Sequence, residues 1–205
     1  MSKLTGIFEY FPDVDQIPVE SIQRWLKSPL PPISLQNAIA NRLLYPQTLP
    51  VSKEDLELDL AILREAIRGN IHYFIANKQL IIPSQFLGRI PDLSQVVMAF
   101  IDAYKYSNFP KQHIIPIVLK DDVNQDVIGS CVFIQFKNNK GVAQVGLDQE
   151  KMLDVKVGSL IVMPCSKNRC TLKFDIKEGS LLTLTTGALD VSGGLVGVFI
   201  DGRLG

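Results

Sequence analysis

SNFPKQH, residues 107–113, separates two kinds of hydrophobic pattern. Before it, apolar residues recur at helical spacing; after it, they alternate or gather in short runs bounded by Gly, Asn, Asp and Lys. The change predicts an α+β chain, with a helix-rich region over residues 1–110 and a β-rich domain over 111–205, either separate or packed as a single unit.

Upstream, the strongest helix signal is SKEDLELDLAILREAIRGN, residues 52–70. Ser52 is the expected cap, Asp55 the return partner of a capping box, and Gly69-Asn70 the left-handed stop. Leu56, Leu60, Leu63 and Ile67 form one stripe, while Glu54, Glu57, Arg64 and Arg68 lie largely off it. PDLSQVVMAFIDAYKYS, residues 91–107, predicts a second helix capped by Asp92, with Gln95 three residues on. Its apolar face, Leu93, Val96, Val97, Phe100, Ile101 and Tyr104, is wide and requires a large partner. PVESIQRWLKS and SLQNAIANRLLY predict shorter helices, the first helped by Pro18 and the second ended by Tyr45-Pro46. IHYFIANKQLIIPSQFLG, residues 71–88, fits two strands around Asn77-Lys78 and equally a continued helix followed by an extended run.

Downstream, HIIPIVL, DVIGSCVFIQF, GVAQVGL, VGSLIVM, RCTLKFDI, SLLTLTT and GLVGVFIDG read as strands. Short strands at this spacing predict an antiparallel β-sandwich or small β-barrel. Pro116 assigns the first of them to an edge or an irregular position. KNNKG, residues 137–141, carries the Asn and Gly of a hairpin loop.

At 205 residues the chain is long enough to bury a core without disulfides or a structural metal. Its 46% hydrophobic and 20% charged content is that of a globular protein rather than a disordered one. Up to Pro110 there are 10 basic and 11 acidic residues, and 11 and 10 afterwards, so neither half is a basic module. That balance speaks against general nucleic-acid binding, which draws on clustered positive charge. No apolar run reaches the ~20 residues of a membrane span. With no signal-peptide pattern and three cysteines, an odd number, the expected setting is the cytoplasm, with reduced thiols.

MPCSKNRCTL, residues 163–172, places two of those cysteines around Ser166, Lys167, Asn168 and Arg169. The flanks are strand-like, so Cys165 and Cys170 are expected opposite each other at the base of a four-residue hairpin loop. A structural zinc takes four N or S ligands, and three cysteines with two distant histidines make a poor set. No Cys-x-x-Cys at a helix start supports a redox thiol. Of the histidines, His72 lies in an apolar segment, where a packed or capping role is common, and His113 opens a strand, with Cys131 its one conceivable nucleophilic partner. No Gly-x-Ser-x-Gly elbow, no phosphate-binding glycine loop and no calcium loop is present; VSGGLVG reads as turn glycines, and Asp121, Asp122 and Asp126 as a solvated loop. Asp201 and Arg203 are expected to pair or cap at the surface. No catalytic, cofactor-binding or metal-binding residue is therefore assigned, and no cofactor is expected. Phe8, Tyr10 and Phe11, in GIFEYFPDVDQIP, are the one set nominated for partner binding: they fold back as a lid on the chain's own core or dock as an arm into a partner.

Leu160-Ile161-Val162-Met163-Pro164, followed by GGLVGVFIDGR at residues 193–203, resembles the carboxy-terminal end of the MutL family associated with glutamate mutase, distinct from the mismatch-repair protein of that name. The resemblance covers roughly a quarter of the chain and rests mostly on strand and turn residues. It implies an accessory role beside an actin-like ATPase fold, with Asp201 and Arg203 at family positions of no assigned catalytic role. The Asp-x-Gly phosphate loops of that fold are not found, so only a β-module carries over, without nucleotide binding.

These readings favour a non-enzymatic cytosolic binding or assembly protein, acting on a protein partner or by self-association. A ligand-sensing regulator with a winged-helix-like amino-terminal part and a β effector domain is the second class, and an enzyme of unrecognised type the third. The first differs from the second in needing no basic recognition helix, and from the third in needing no pocket of convergent reactive groups.

Overall fold

A computed structural model describes residues 19–45, 48–88, 90, 92–137, 140–148, 152–181 and 187–203. The chain is mixed α+β and divides into two compact units. Described residues up to Phe74, with Ile82–Phe109, form the first; Ile75–Ile81 and the residues from Pro110 onward form the second.

The first unit contains α1 (Val19–Gln23), α2 (Pro32–Leu44), α3 (Lys53–Gly69) and α4 (Leu93–Lys105), with 3-10 turns at Ile71–Phe74 and Ser84–Gly88. Pro32 opens α2, two residues earlier than the sequence signal, because proline's fixed φ and missing N–H suit a first turn. Ser52 caps α3, its hydroxyl accepting from the Asp55 N–H at 3.0 Å. The return half of the capping box is not made. Asp55 instead accepts from the Val51 N–H and from Arg42 on α2. The end of α3 also departs from expectation. Asn70 has φ −119°, so the stop is not left-handed; its backbone N–H bonds to the Ala66 and Ile67 carbonyls and its side chain to Ala66 O.

A single stripe on α3 is also corrected. Leu58, Ala61, Ile62, Leu63, Ala66 and Ile67 are all buried, so apolar contact runs around much of the helix. The cause is its position, packed against both α1 and α4. On α4, Val96, Val97, Phe100, Ile101 and Tyr104 are buried as the sequence pattern predicts, with Asp92 capping through Ser94 N rather than Gln95. The aromatic centre of the unit is Phe74, Phe86 and Phe100, with Phe100 edge-on to the other two at 5.2 and 5.4 Å. Edge-to-face contacts of this kind add to the burial energy of the rings.

The ambiguous segment at 71–88 resolves into strands. β1 (Ile75–Ala76) and β2 (Gln79–Pro83) are joined by Asn77 and Lys78, both at positive φ (50° and 62°), the geometry of a tight hairpin turn whose twist matches its strands. This hairpin begins the main sheet of the second unit. The other strands are β3 (Ile114–Lys120), β4 (Gln125–Phe133), β5 (Val142–Leu147), β6 (Leu153–Lys156), β7 (Leu160–Met163), β8 (Cys170–Glu178), β9 (Gly187–Val191) and β10 (Gly197–Asp201).

They form a six-stranded sheet in the order β1-β2-β3-β4-β10-β7 and a four-stranded sheet in the order β6-β5-β8-β9. Two features depart from the expected antiparallel sandwich or barrel. Among the described residues the two sheets are separate and neither closes on itself, so there is no closed barrel. β10 also lies parallel to β4, Gly197 opposite Gly129, although antiparallel to β7. Parallel neighbours need a long crossover, here the whole stretch from β5 to β9. Pro116 is not in an edge strand: β3 lies between β2 and β4, and the missing N–H is accommodated one residue from a register shift at Ile117/Val118. Both sheets contribute to one buried cluster, including Val132 of β4, Val198 and Ile200 of β10, Val145 of β5, and Leu172 and Phe174 of β8. The sequence pattern misses β6 and β9, which are short and largely exposed. Most of SLLTLTT, and the asparagines of KNNKG, lie outside the described residues.

Ser52→Ala is expected to cost about 1 kcal/mol by removing the α3 cap, measured by urea unfolding at neutral pH. A fragment of residues 111–205, lacking β1 and β2, is expected to self-associate and to melt below the full chain. It leaves β3 as an open edge. A monomeric fragment melting with the full chain, by size-exclusion chromatography and circular dichroism, would contradict the assignment of the hairpin to this sheet.

Candidate functional site

Three places in the described residues combine polar chemistry with a built geometry: the buried charges of the helical unit, the clefts beside α3, and the junction around Cys165.

Burying α3 on several sides brings Asp59 and Glu65 inside with it, and α4 does the same for Asp102. A buried carboxylate is costly unless paired, and each is met by an arginine. Arg42 reaches from α2 to Asp59 at 3.1 Å, and Arg64 bonds to Asp102 at 2.7 Å. Glu65 accepts from Arg68 one turn on and from the Trp25 indole N–H at 3.1 Å, with Arg24 3.5 Å away. Trp25 also lies edge-on to Tyr106 at 5.6 Å and beneath the Arg64 guanidinium. Burial alone would push the Glu65 carboxyl up. The bonds from Arg68 and Trp25, with the charges of Arg68 and Arg24, outweigh it and hold the carboxyl below its usual range. Glu65 is thus ionised and fully engaged, which makes it a packing element and a poor general base.

The clefts are more open. One of about 410 Å³ is lined by Leu26, Leu30, Ala38 and Leu58, with Lys53 and Glu57 among its polar members. A second of about 390 Å³ is lined by Leu49, Pro50, Val51 and Leu56, and shares Lys53. Val51, which lines the second, is 91% exposed, and on α2 Ile33 is 74% and Leu44 70% exposed.

In the β-rich unit, Cys165 and Cys170 do not flank a hairpin. β7 belongs to the six-stranded sheet and β8 to the four-stranded one, so the loop between them crosses from sheet to sheet. The two sulfurs are joined as a disulfide across the base of that crossing, where free thiols were expected. The second crossing, from β9 to β10, packs directly against it. Gly194 N–H donates to Cys165 O at 2.7 Å. A Cβ on Gly193 would stand 2.3 Å from Lys167 O and 2.5 Å from Cys165 Sγ, so this position admits only glycine without a shift of the loop. Ser130 of β4, fully buried, donates its hydroxyl to Ser192 O at 2.7 Å. Lys167 pairs with Asp148, and Arg169 with Asp190. The Lys167 ammonium and the Thr171 N–H hold the Asp148 carboxyl below its usual range.

No match is found among protein-family models, characterised proteins or solved structures. The site is accordingly read from its own residues.

The remaining candidates are dispersed. His72 is exposed, its ring tilted 42° against that of Tyr73 with centroids 4.0 Å apart, rather than packed in a core. His113 is exposed beside the start of β3, its carbonyl accepting from Phe133 N–H. Cys131 is fully buried in β4, opposite Ile115 and Phe199. Asp121, Asp122 and Asp126 are exposed; Asp121 accepts from the Asn124 and Val123 N–H groups, and these bonds lower its pKa. Asp201 and Arg203 differ from the exposed pair expected. Asp201 is buried and held by the Arg203 guanidinium through two bonds of 3.1 and 2.8 Å and by the Arg203 N–H at 2.9 Å. Among the described residues no group of three or more His, Cys, Asp or Glu could hold a metal ion. Phe8, Tyr10 and Phe11 lie outside the described residues. The glycines at 193 and 194 were visible in VSGGLVG as turn residues, but nothing in the sequence marked the Cys165 loop as their neighbour.

Because the Glu65 pKa is lowered by folding, its contribution to stability is present above the unfolded-state value of about 4.3 and is lost as pH falls through the folded-state value. Glu65→Gln is therefore expected to be clearly less stable than the parent chain at pH 7. The gap should shrink on acidification to pH 3, read from urea midpoints at the two pH values.

Proposed function

We propose that this is a non-enzymatic binding or assembly protein of the cytoplasm, whose helical unit presents the surface that a protein partner, or a second copy of the chain, covers. The observation that carries the reading is the apolar exposure around the start of α3, where Leu49, Pro50 and Val51 line one cleft and Leu26, Leu30 and Leu58 another. Clustered apolar exposure of this sort marks association surfaces more often than solvated ones. The mixed charges of Lys53, Glu54, Asp55 and Glu57 beside it suit the polar surround of a protein interface better than a nucleic-acid surface.

The engagement of Asp59, Glu65 and Asp102 by arginines supports a non-enzymatic role for the helical unit. It leaves the charged interior occupied by structural pairing. In this reading the two sheets act as a sandwich-like module around their common core, in keeping with an accessory β-module of the kind the glutamate-mutase-associated MutL resemblance implies. No helix among the described residues is long and apolar enough to cross a membrane.

Ile33→Asp combined with Val51→Asp changes two exposed side chains and is expected to leave the melting temperature unchanged. Association with partners or with itself should weaken at least about tenfold, as for loss of a central interface contact. Sedimentation velocity and pulldown with the full chain read the outcome. Unchanged partners and unchanged oligomeric state would discard the surface. A parallel variant with Phe8, Tyr10 and Phe11 changed to Ala separates an amino-terminal arm from this face.

A further inference from the structure

We propose that Cys165 and Cys170 are a reversible dithiol–disulfide couple whose state sets how tightly the two sheet-to-sheet crossings hold each other. Its basis is independent of the apolar face of the helical unit.

The bond spans a loop of four exposed residues, 166–169, so it encloses a short ring and removes little chain entropy. The sheets do not need it as a staple. β7 is anchored to β10 over Leu160–Met163, and β8 is paired on both sides, with β5 and β9. Opening the bond therefore leaves the sheets intact and frees only the loop.

The two cysteines are unequally placed. Cys165 is partly exposed and Cys170 is 2% exposed. An incoming thiolate therefore meets Cys165 before the buried Cys170, which sets the order of events. For opening, one sulfur of an external dithiol attacks Cys165 Sγ, and Cys170 leaves as a thiolate and takes a proton. The second sulfur of the dithiol then displaces Cys165, which is protonated in turn. The protein gains two electrons and two protons, and the dithiol becomes its own cyclic disulfide. For closing, a hydroperoxide is the oxidant. The Cys165 thiolate attacks its outer oxygen and becomes a sulfenic acid as the O–O bond breaks, releasing water or an alcohol. Cys170 then attacks the sulfenic sulfur, forming the disulfide and a molecule of water.

The loop also touches the second crossing. Cys165 O accepts the Gly194 N–H, and Gly193 lies against both Cys165 and Lys167 with no space for a side chain. The loop is thus the surface on which the second crossing rests, and that crossing continues through Val196 N–H to Ile128 O of β4. With the bond closed, the two crossings are one assembly. With it open, the loop's tip keeps the surface ion pairs Lys167–Asp148 and Arg169–Asp190, and such pairs are weak.

The test uses the full chain equilibrated in ratios of reduced to oxidised dithiothreitol, then treated with iodoacetamide without unfolding and weighed intact. One alkyl group, on Cys165, is expected in the reduced protein and none in the oxidised one, with the buried Cys131 and Cys170 unmodified and the far-ultraviolet circular dichroism unchanged. Trypsin should cut after Lys167 or Arg169 about tenfold faster in the reduced protein, since local opening governs cleavage. Equimolar hydrogen peroxide should restore the slow rate. Cys165→Ser with Cys170→Ser should be cut at the fast rate in both buffers, and if that variant does not fold, the wild-type rates decide alone. Reduction that occurs only when the whole protein melts, peroxide that leaves both thiols unpaired, or equal cleavage rates in the two states would each overturn the proposal.

Discussion

The second unit depends on one constraint: a single apolar cluster has to be closed by two sheets that share no strand. Val132, Val198 and Ile200 come from one side, and Val145, Leu172 and Phe174 from the other. A chain that supplies both sides must cross between them, and each crossing takes backbone out of a ladder. At the junction of residues 163–170 with residues 192–197 that cost is met locally. Gly194 N–H finds Cys165 O, Val196 N–H finds Ile128 O, and the buried Ser130 hydroxyl satisfies Ser192 O. Glycine at 193 allows the backbones to approach closely enough for these bonds to form.

The helical unit solves a different problem. α3 is packed on too many sides to keep all its charges in water, and its acidic residues are neutralised in place by arginines from α2, from the residue that follows α1, and from α3 itself. Arginine suits this role because its planar fork can serve a carboxylate and an aromatic face together, as Arg64 does with Asp102 and Trp25. The consequence for function is that acidity inside this unit serves packing, while its apolar surface remains outside, beside the clefts at Leu30 and Val51.

How much of this was legible in the sequence follows from how local each signal is. Ser52, Asp92 and the face of α4 were readable because caps and helical periodicity depend on residues within a few turns. The Asn77-Lys78 turn was half-readable, since lysine at positive φ is uncommon and weakened the hairpin signal. β6 and β9 were missed because an exposed four- or five-residue strand carries too few apolar positions to alternate. The assignment of β7 and β8 to different sheets was beyond reach: a strand, a polar four-residue loop and a strand look the same whether the loop turns back or crosses over. For the candidate site, the cysteines and glycines stood out singly, but their contact is a long-range fact that no spacing encodes. Burial of Asp201 under Arg203 belongs to the same class.

The parallel seating of β10 beside β4 also has a temporal meaning. β7 borders β10 alone in the sheet order, so the β3–β4 ribbon and β7 remain unconnected pieces until the segment Gly197–Asp201 slots between them. Pairing across so much intervening chain is a slow event in folding. During biosynthesis β10 emerges after the other described strands of its sheet and makes one sheet out of fragments, and until then two ladders stand open to neighbours.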